Sequence, residues 1–119
     1  MKKPLFISAT EIAALIREGK TTATKVITAH LEQIEQHNPE LNAIVTLNTE
    51  EALAQAHEAD RAVADGAAPG PLHGVPVTVK DMIETAGLRT TSGHKPFADN
   101  IPARDALAVA RLKASGAII

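Results

Sequence analysis

The residues best suited to chemistry in this chain are Lys80 and Asp81, which close the run PLHGVPVTVKD at residues 71–81. Alternation along the run predicts a strand over residues 75–79, with its valines on one face and Lys80 on the other. If helices cover both faces of the sheet, burial disfavours the ammonium and makes the lysine a usable proton acceptor. The alternative is a strand-end lysine with its amine in water, paired with Asp81. The residues alone leave both interpretations open.

Other reactive patterns are absent from the sequence. The chain has no cysteine, which excludes disulfides and thiolate chemistry within it. It has no G-x-S-x-G run for a serine nucleophile, and Gly70–Gly74 matches neither a dinucleotide-binding nor a P-loop pattern. None of the five histidines has the H-E-x-x-H spacing of a zinc site; they are His30, His37, His57, His73 and His94. We therefore expect neither a metal nor an organic cofactor.

The elements before the predicted strand are mainly helical. Ser8 and Glu11 fit a capping box that begins a first helix, and Gly19 is a typical C-terminal stop. A second helix is predicted to begin near Thr22 and to end at Asn38-Pro39, because the residue before a proline disfavours the helical conformation.

A short β-like run is predicted over residues 42–48, and Asn48 is predicted to cap a third helix rich in alanine. After the lysine strand, residues 84–104 show little periodicity and form a long irregular segment, which is uncommon unless it has a function. Asp105 is predicted to cap a fourth helix that Gly116 ends.

Residues 117–119 read Ala-Ile-Ile, which is typical of the entry to a buried strand. A chain that stopped at this point would expose an unpaired apolar segment, whereas domain ends are normally polar. We therefore expect these residues to be an incomplete portion of a longer domain.

Composition and charge narrow the class of protein. The length of 119 residues suits one domain, and the near-absence of aromatic residues predicts an aliphatic core. A formal net charge of −2 gives no electrostatic reason to bind nucleic acid or an anionic membrane. The N-terminal apolar run is too short for a signal peptide, and no apolar segment is long enough to span a bilayer. A cytoplasmic location is the expectation.

The run at residues 71–81 resembles the first block of the amidase signature family. The resemblance continues in the family's order and spacing, and it covers the chain from about Ser8 to Ile119; its later motifs are Thr85–Gly87, Thr90–Gly93, Asp105-Ala106, Arg111-Leu112 and Gly116–Ile119. It implies an α/β fold in which helices cover both faces of a mixed sheet. Residues 1–119 would be the N-terminal fragment of a single amidase domain, with residues 1–65 mainly helical and residues 72–119 starting the α/β core.

The resemblance also implies a chemistry. Amidase signature enzymes hydrolyse amide bonds with a Ser-cisSer-Lys triad, and the lysine that closes the first block corresponds to Lys80. The family needs no metal or cofactor. It acts on amides, so a small-molecule amide substrate is expected. The resemblance also leads us to expect a homodimer of the full-length protein. The sequence assigns no substrate-binding residue.

The family's two catalytic serines lie in a Gly- and Ser-rich stretch that would follow Ile119. Ser92 and Ser115 lack the Ser-Gly-Gly context of a nucleophile, so we expect this chain to be inactive by itself. Two alternatives stay open. The chain can belong to the amidase subunit of a tRNA-dependent amidotransferase, although the loop TTSGHKPF lacks a cysteine-containing pattern associated with that subgroup. It can also be a non-catalytic interaction domain.

Overall fold

The structure is a computed structural model that describes residues 4–119. In this range the chain forms four α-helices: α1 (Ala9–Arg17), α2 (Ala23–Leu41), α3 (Thr49–Ala64) and α4 (Leu107–Ala114). Two short 3-10 turns, Pro4–Phe6 and Lys95–Phe97, complete the regular structure. No helix in residues 4–119 combines the length and the apolar character needed to cross a membrane.

The predicted helix starts are confirmed for α1 and α2. The Ser8 hydroxyl accepts a hydrogen bond from the backbone N–H of Glu11 at 3.2 Å, which satisfies one of the free donors of the first turn. The Thr22 hydroxyl does the same for Lys25 at 3.1 Å. Between the two helices Gly19 has a φ of +67°, the left-handed conformation that a glycine stop supplies.

The predicted end of the second helix is wrong. Helix α2 runs to Leu41 with Pro39 inside it, and it ends where Asn42 adopts a left-handed φ of 48°. Pro39 cannot donate a backbone hydrogen bond to the preceding turn, so the helix accommodates it only near its end, two residues before Leu41. The Asn38 side chain also fixes the segment that follows the helix. Its amide donates to the carbonyl of Ile44 at 2.9 Å, and its oxygen accepts the Ile44 N–H at 2.8 Å.

The predicted β-like run over residues 42–48 is also wrong, since this connection is irregular. Val45 and Leu47 are each 51% exposed, so the apolar side chains that suggested a strand are not on a buried face. Strand conformation depends on a neighbour that takes up its backbone donors and acceptors, and in the described range this segment has none. Helix α3 then starts after Asn48, whose side chain makes no capping hydrogen bond.

The core lies between the first three helices. It is entirely aliphatic, as the composition predicted, and its buried members from the helices are Ile12, Ala13, Ile16, Ala23, Val26, Ile27, Ala52 and Ala56. Small alanines on α2 and α3 allow the two helices to approach closely. Val75 and Ile118 join this core from the second half of the chain, so the helices position the segment that carries the lysine.

The strand predicted over residues 75–79 is not formed as a regular strand: the segment makes a single isolated parallel bridge, between Pro76 and Ile118, because the described residues offer it no further partner. The Val77 N–H donates to the carbonyl of Ile118 at 2.8 Å, and the Ile118 N–H donates to the carbonyl of Val75 at 2.9 Å. This is the one bridge of this kind in the described range, and of the strand entry predicted at residues 117–119 the structure shows this bridge. Val75 is buried at 2% exposure.

The predicted cap of the fourth helix is wrong, because α4 begins after Ala106 and Asp105 does not cap it. The Asp105 carboxylate instead accepts the Ala86 N–H at 2.8 Å and two hydrogen bonds from Lys113, each 2.9 Å. The charge of Lys113 draws the carboxylate toward the far end of the helix. Gly116 ends the helix as predicted, with a φ of +93°.

Candidate active site

Lys80 lies at the exposed end of the extended segment. Val75 is buried and Val77 and Val79 are half-buried, whereas Thr78 and Lys80 are exposed. Pro76, predicted on the face of Lys80, is half-buried, so the predicted alternation is confirmed for residues 77–80. The carbonyl of Lys80 accepts the N–H of Ile83 at 2.9 Å, which turns the chain immediately after the lysine. Because a single pairing covers this segment in residues 4–119, no sheet face buries the lysine here.

Asp81 does not pair with Lys80. One oxygen of its carboxylate accepts the backbone N–H of Thr91 at 3.1 Å, and the other accepts the Thr91 hydroxyl in a short hydrogen bond. These two bonds, the hydroxyl first and the N–H second, lower the pKa of Asp81 below its usual value. In the described range no salt bridge engages the Lys80 ammonium. The interpretation of Lys80 as a simple ion-pair partner of Asp81 is therefore not supported.

The loop after Asp81 is folded back onto the end of the strand. The Ser92 N–H donates to the carbonyl of Asp81 at 2.8 Å, and the Gly93 N–H donates to the Thr91 hydroxyl at 3.1 Å. Ser92 has a φ of +54°, which is uncommon outside glycine and marks a sharply bent loop. Sequence reasoning missed the role of Asp81, because no local pattern links an aspartate to a threonine ten residues later.

Further hydrogen bonds hold the base of the irregular segment. The Thr90 N–H donates to the carbonyl of Asn100 at 2.9 Å, and the Asn100 side chain returns a bond to the carbonyl of Thr90 at 2.9 Å. The Gly87 N–H donates to the carbonyl of Pro102 at 3.0 Å. Residues 91–99 therefore form a loop whose two ends are tied together beside Lys80.

The serines of the chain have other roles or lie in the bent loop. Ser8 caps α1, and the Ser115 hydroxyl donates to the carbonyl of Arg111 at 2.9 Å. Ser92 is exposed and is held through its backbone N–H. The described residues contain no group of three or more side chains that could hold a metal ion. Of the three residues in the triad that the resemblance implies, Lys80 is the one assigned within residues 4–119.

Comparison with known proteins places this arrangement in a family. The family model described as Amidase matches residues 25–119. A glutamyl-tRNA(Gln) amidotransferase subunit from Lachnospira eligens is 44% identical over 112 residues, which are 94% of this chain and 23% of that protein. An acylamidase from Rhodococcus erythropolis is 39% identical over 113 residues, 95% of this chain and 24% of that protein.

Solved structures agree with the sequence matches. The peptide amidase of Stenotrophomonas maltophilia superimposes with a TM-score of 0.85 at 34% identity, over 95% of this chain and 23% of that one. A bacterial aryl acylamidase of the amidase signature family gives a TM-score of 0.87 at 26% identity, over 95% and 24%. The chain spans about a quarter of the length of these proteins. The predicted fold class is confirmed, and the chain belongs to the amidase signature family, of whose α/β fold it forms a portion.

Proposed function

We propose that this chain supplies the general base, Lys80, of an amide hydrolase whose remaining catalytic residues belong to the rest of an amidase domain. The observation that carries the proposal is the separation of two neighbouring charges. Asp81 is held on Thr91, and within residues 4–119 the Lys80 amine is thereby left at a strand end without a carboxylate partner. With its neighbouring carboxylate engaged elsewhere, the amine is left available to a serine hydroxyl of the complete domain.

In the proposed reaction the neutral amine of Lys80 accepts a proton from a bridging serine, which in turn takes the proton of the nucleophilic serine. The nucleophile attacks the amide carbonyl, and backbone N–H groups stabilise the resulting oxyanion. The three serines of this chain are Ser8, Ser92 and Ser115, and two of their hydroxyls already serve helix ends. We therefore propose that residues 1–119 alone do not hydrolyse amides.

The test is an enzyme in which residues 1–119 are joined to the matching remainder of the Rhodococcus erythropolis acylamidase, which we call the joined amidase. We expect it to hydrolyse acyl amides, and we expect Lys80→Ala to reduce kcat at least about 1,000-fold, as loss of a triad member does. Lys95→Ala is the matched control, because Lys95 is an exposed lysine in the 3-10 turn. A Lys80→Ala enzyme as active as the Lys95→Ala enzyme would refute the assignment.

A second candidate function is release of ammonia from glutamine by the amidase subunit of an amidotransferase. The similarity to the Lachnospira eligens protein, 44% against 39% for the acylamidase, is the observation that favours it. The two functions share the same bond cleavage and differ in the substrate and in the need for partner subunits. Pull-down of an aminoacyl-tRNA-binding partner by the tagged full-length protein would support the amidotransferase, and its absence alongside acyl amide hydrolysis would favour the acylamidase.

If the chain is instead a non-catalytic interaction domain, residues 1–119 should fold by themselves. Urea unfolding of the isolated chain separates this alternative from the proposal, since a free-standing domain gives one cooperative transition with the slope usual for its size. A broad or aggregating transition is expected if these residues need the rest of an amidase domain. The cytoplasmic location, the small-molecule amide substrate and the homodimer stay predictions from the sequence.

A further inference from the structure

The hydrogen bonds of Asp81 are unexpected for an aspartate that follows a lysine. Opposite charges on adjacent residues attract each other, and an exposed ion pair needs no precise geometry to form. Both carboxylate oxygens nevertheless bind Thr91, one through its N–H at 3.1 Å and one through its hydroxyl. Hydrogen bonds to an ionised carboxylate are stronger than neutral ones, so this arrangement competes well with the exposed pair.

The backbone that follows the lysine is fixed by hydrogen bonds to two segments. The carbonyl of Asp81 accepts the Ser92 N–H at 2.8 Å, and the carbonyl of Lys80 accepts the Ile83 N–H at 2.9 Å. Together with the two carboxylate bonds, three hydrogen bonds join Asp81 to residues 91–92. The backbone from which the Lys80 side chain projects is therefore fixed by these hydrogen bonds.

The placement of the Asp81 charge also matters for the lysine. A carboxylate in contact with an ammonium favours the charged form, which cannot accept a proton. The Thr91 hydrogen bonds first, and the positive charge of Arg89 to a lesser extent, lower the pKa of Asp81 and keep its carboxylate ionised. Because both carboxylate oxygens of Asp81 accept hydrogen bonds from Thr91, they are not paired with the Lys80 ammonium.

We propose that Asp81 and Thr91 are positioning residues for Lys80: their hydrogen bonds fix the turn after the lysine and keep the neighbouring carboxylate away from the lysine amine. This inference rests on the proposed function, because an unpaired amine affects catalysis only if Lys80 acts as a base. The contact itself is a property of the chain and can be tested without any catalysis.

The experiment is competitive labelling of amines in the joined amidase with a trace of acetic anhydride at pH 8, read out by mass spectrometry. The labelling of Lys80 is divided by that of Lys95, an exposed internal reference. In Thr91→Val the carboxylate loses its hydroxyl partner and can turn to the lysine. We expect the ratio to fall about two- to fivefold, the size of an exposed ion pair.

Three variants separate positioning from general damage to the loop. Thr91→Ser keeps the hydroxyl and should restore the ratio. Thr90→Val is the matched control, since the Thr90 hydroxyl donates to the carbonyl of Leu88 rather than to Asp81. In the double variant Asp81→Asn with Thr91→Val the ratio should return to the level of the wild type, because no carboxylate remains to pair with the lysine.

Two results would overturn the proposal: an unchanged ratio in Thr91→Val, or a decrease that persists in the double variant. The second would show that the loop is disturbed without any carboxylate reaching Lys80. Neither result bears on the proposed function, which is tested separately by the activity of the joined amidase with Lys80→Ala and with Lys80→Arg.

Discussion

The carboxylate of Asp60 on α3 accepts hydrogen bonds from the backbone N–H of Thr24 at 3.0 Å and from the Thr24 hydroxyl at 2.6 Å. It also accepts the N–H of Ala23 at 2.6 Å, so a residue of the third helix caps the start of the second. The negative charge lies where the dipole of α2 favours it. This contact locks together the two helices that form most of the core.

We expect Asp60→Ala to lower the free energy of unfolding by about 1–2 kcal/mol, the usual cost of losing an N-terminal cap. Urea unfolding measured by circular dichroism gives the change. Glu58→Ala is the control, because Glu58 is an exposed acidic residue on the same helix. Equal losses in the two variants would show that the cap contributes no more than a surface charge.

Gly74 permits the close approach of the lysine segment to the helices. A Cβ at this position would lie 2.7 Å from the Cβ of Ala23 and 2.9 Å from the Cδ1 of Ile16. Gly87 has nearly the same backbone, with φ of +76° against +74°, but a Cβ there would meet nothing within 4 Å. We expect Gly87→Ala to cost about 1–2 kcal/mol for backbone strain. Gly74→Ala should cost about 1–3 kcal/mol more, because it also overpacks the core.

The difference between the two glycine variants is the informative quantity, and thermal and urea unfolding both measure it. Since the backbone strain is common to both, the difference isolates the clash with α1 and α2. Equal destabilisation would mean that the segment shifts away from the helices at little cost.

Asp105 should make stability depend on pH. Its pKa is lowered from the usual 3.8, first by the hydrogen bond from Lys113 and then by the N–H of Ala86. A carboxyl with a lowered folded-state pKa stabilises the fold above its unfolded value, and this contribution is lost as the pH falls through the folded value. We therefore expect the stability lost on acidification from pH 5 to pH 2 to be smaller in Asp105→Asn than in the wild type.

Urea unfolding at several pH values between 2 and 7 checks this expectation. Asp99→Asn serves as the reference, because Asp99 is exposed in the irregular segment. If Asp105→Asn and the wild type lose stability in parallel as the pH falls, Lys113 does not hold the carboxylate in the folded state.

Lys80→Arg tests whether a proton acceptor is required at this position rather than a positive charge. Arginine keeps the charge but stays protonated at any pH that the enzyme tolerates. We expect the joined amidase with arginine to be as inactive as the alanine variant, measured by kcat for acyl amide hydrolysis. Substantial activity with arginine would indicate that residue 80 acts by charge alone.

Local signals in the sequence were sufficient for the helix starts and for the exposure pattern of residues 77–80. Ser8 and Thr22 make the capping bonds that their residue types predict, and the alternating valines produce the expected exposure pattern. These features depend on neighbours within a few residues, which is the range over which a sequence pattern is informative. The run PLHGVPVTVKD also identified the family correctly.

The errors and omissions concern contacts between distant residues. The segment 42–48 has the apolar residues of a strand but, within residues 4–119, no partner, and Asp105 has the type of a cap but binds Lys113 instead. Asp81 was considered as a partner of Lys80 and Asp60 carried no prediction, although each carboxylate binds a threonine in another part of the chain. Their partners follow from the tertiary fold, which no local pattern encodes.

The parallel contact between Pro76 and Ile118 has a consequence for the order of folding. Each helix forms through hydrogen bonds between residues four apart, whereas this contact closes a loop of about 40 residues and carries a larger entropic cost. We expect the individual helices to form early and the lysine segment to dock late in folding. The position of the proposed base is then among the last features of the chain to be established, and among the first to be lost when the chain begins to open.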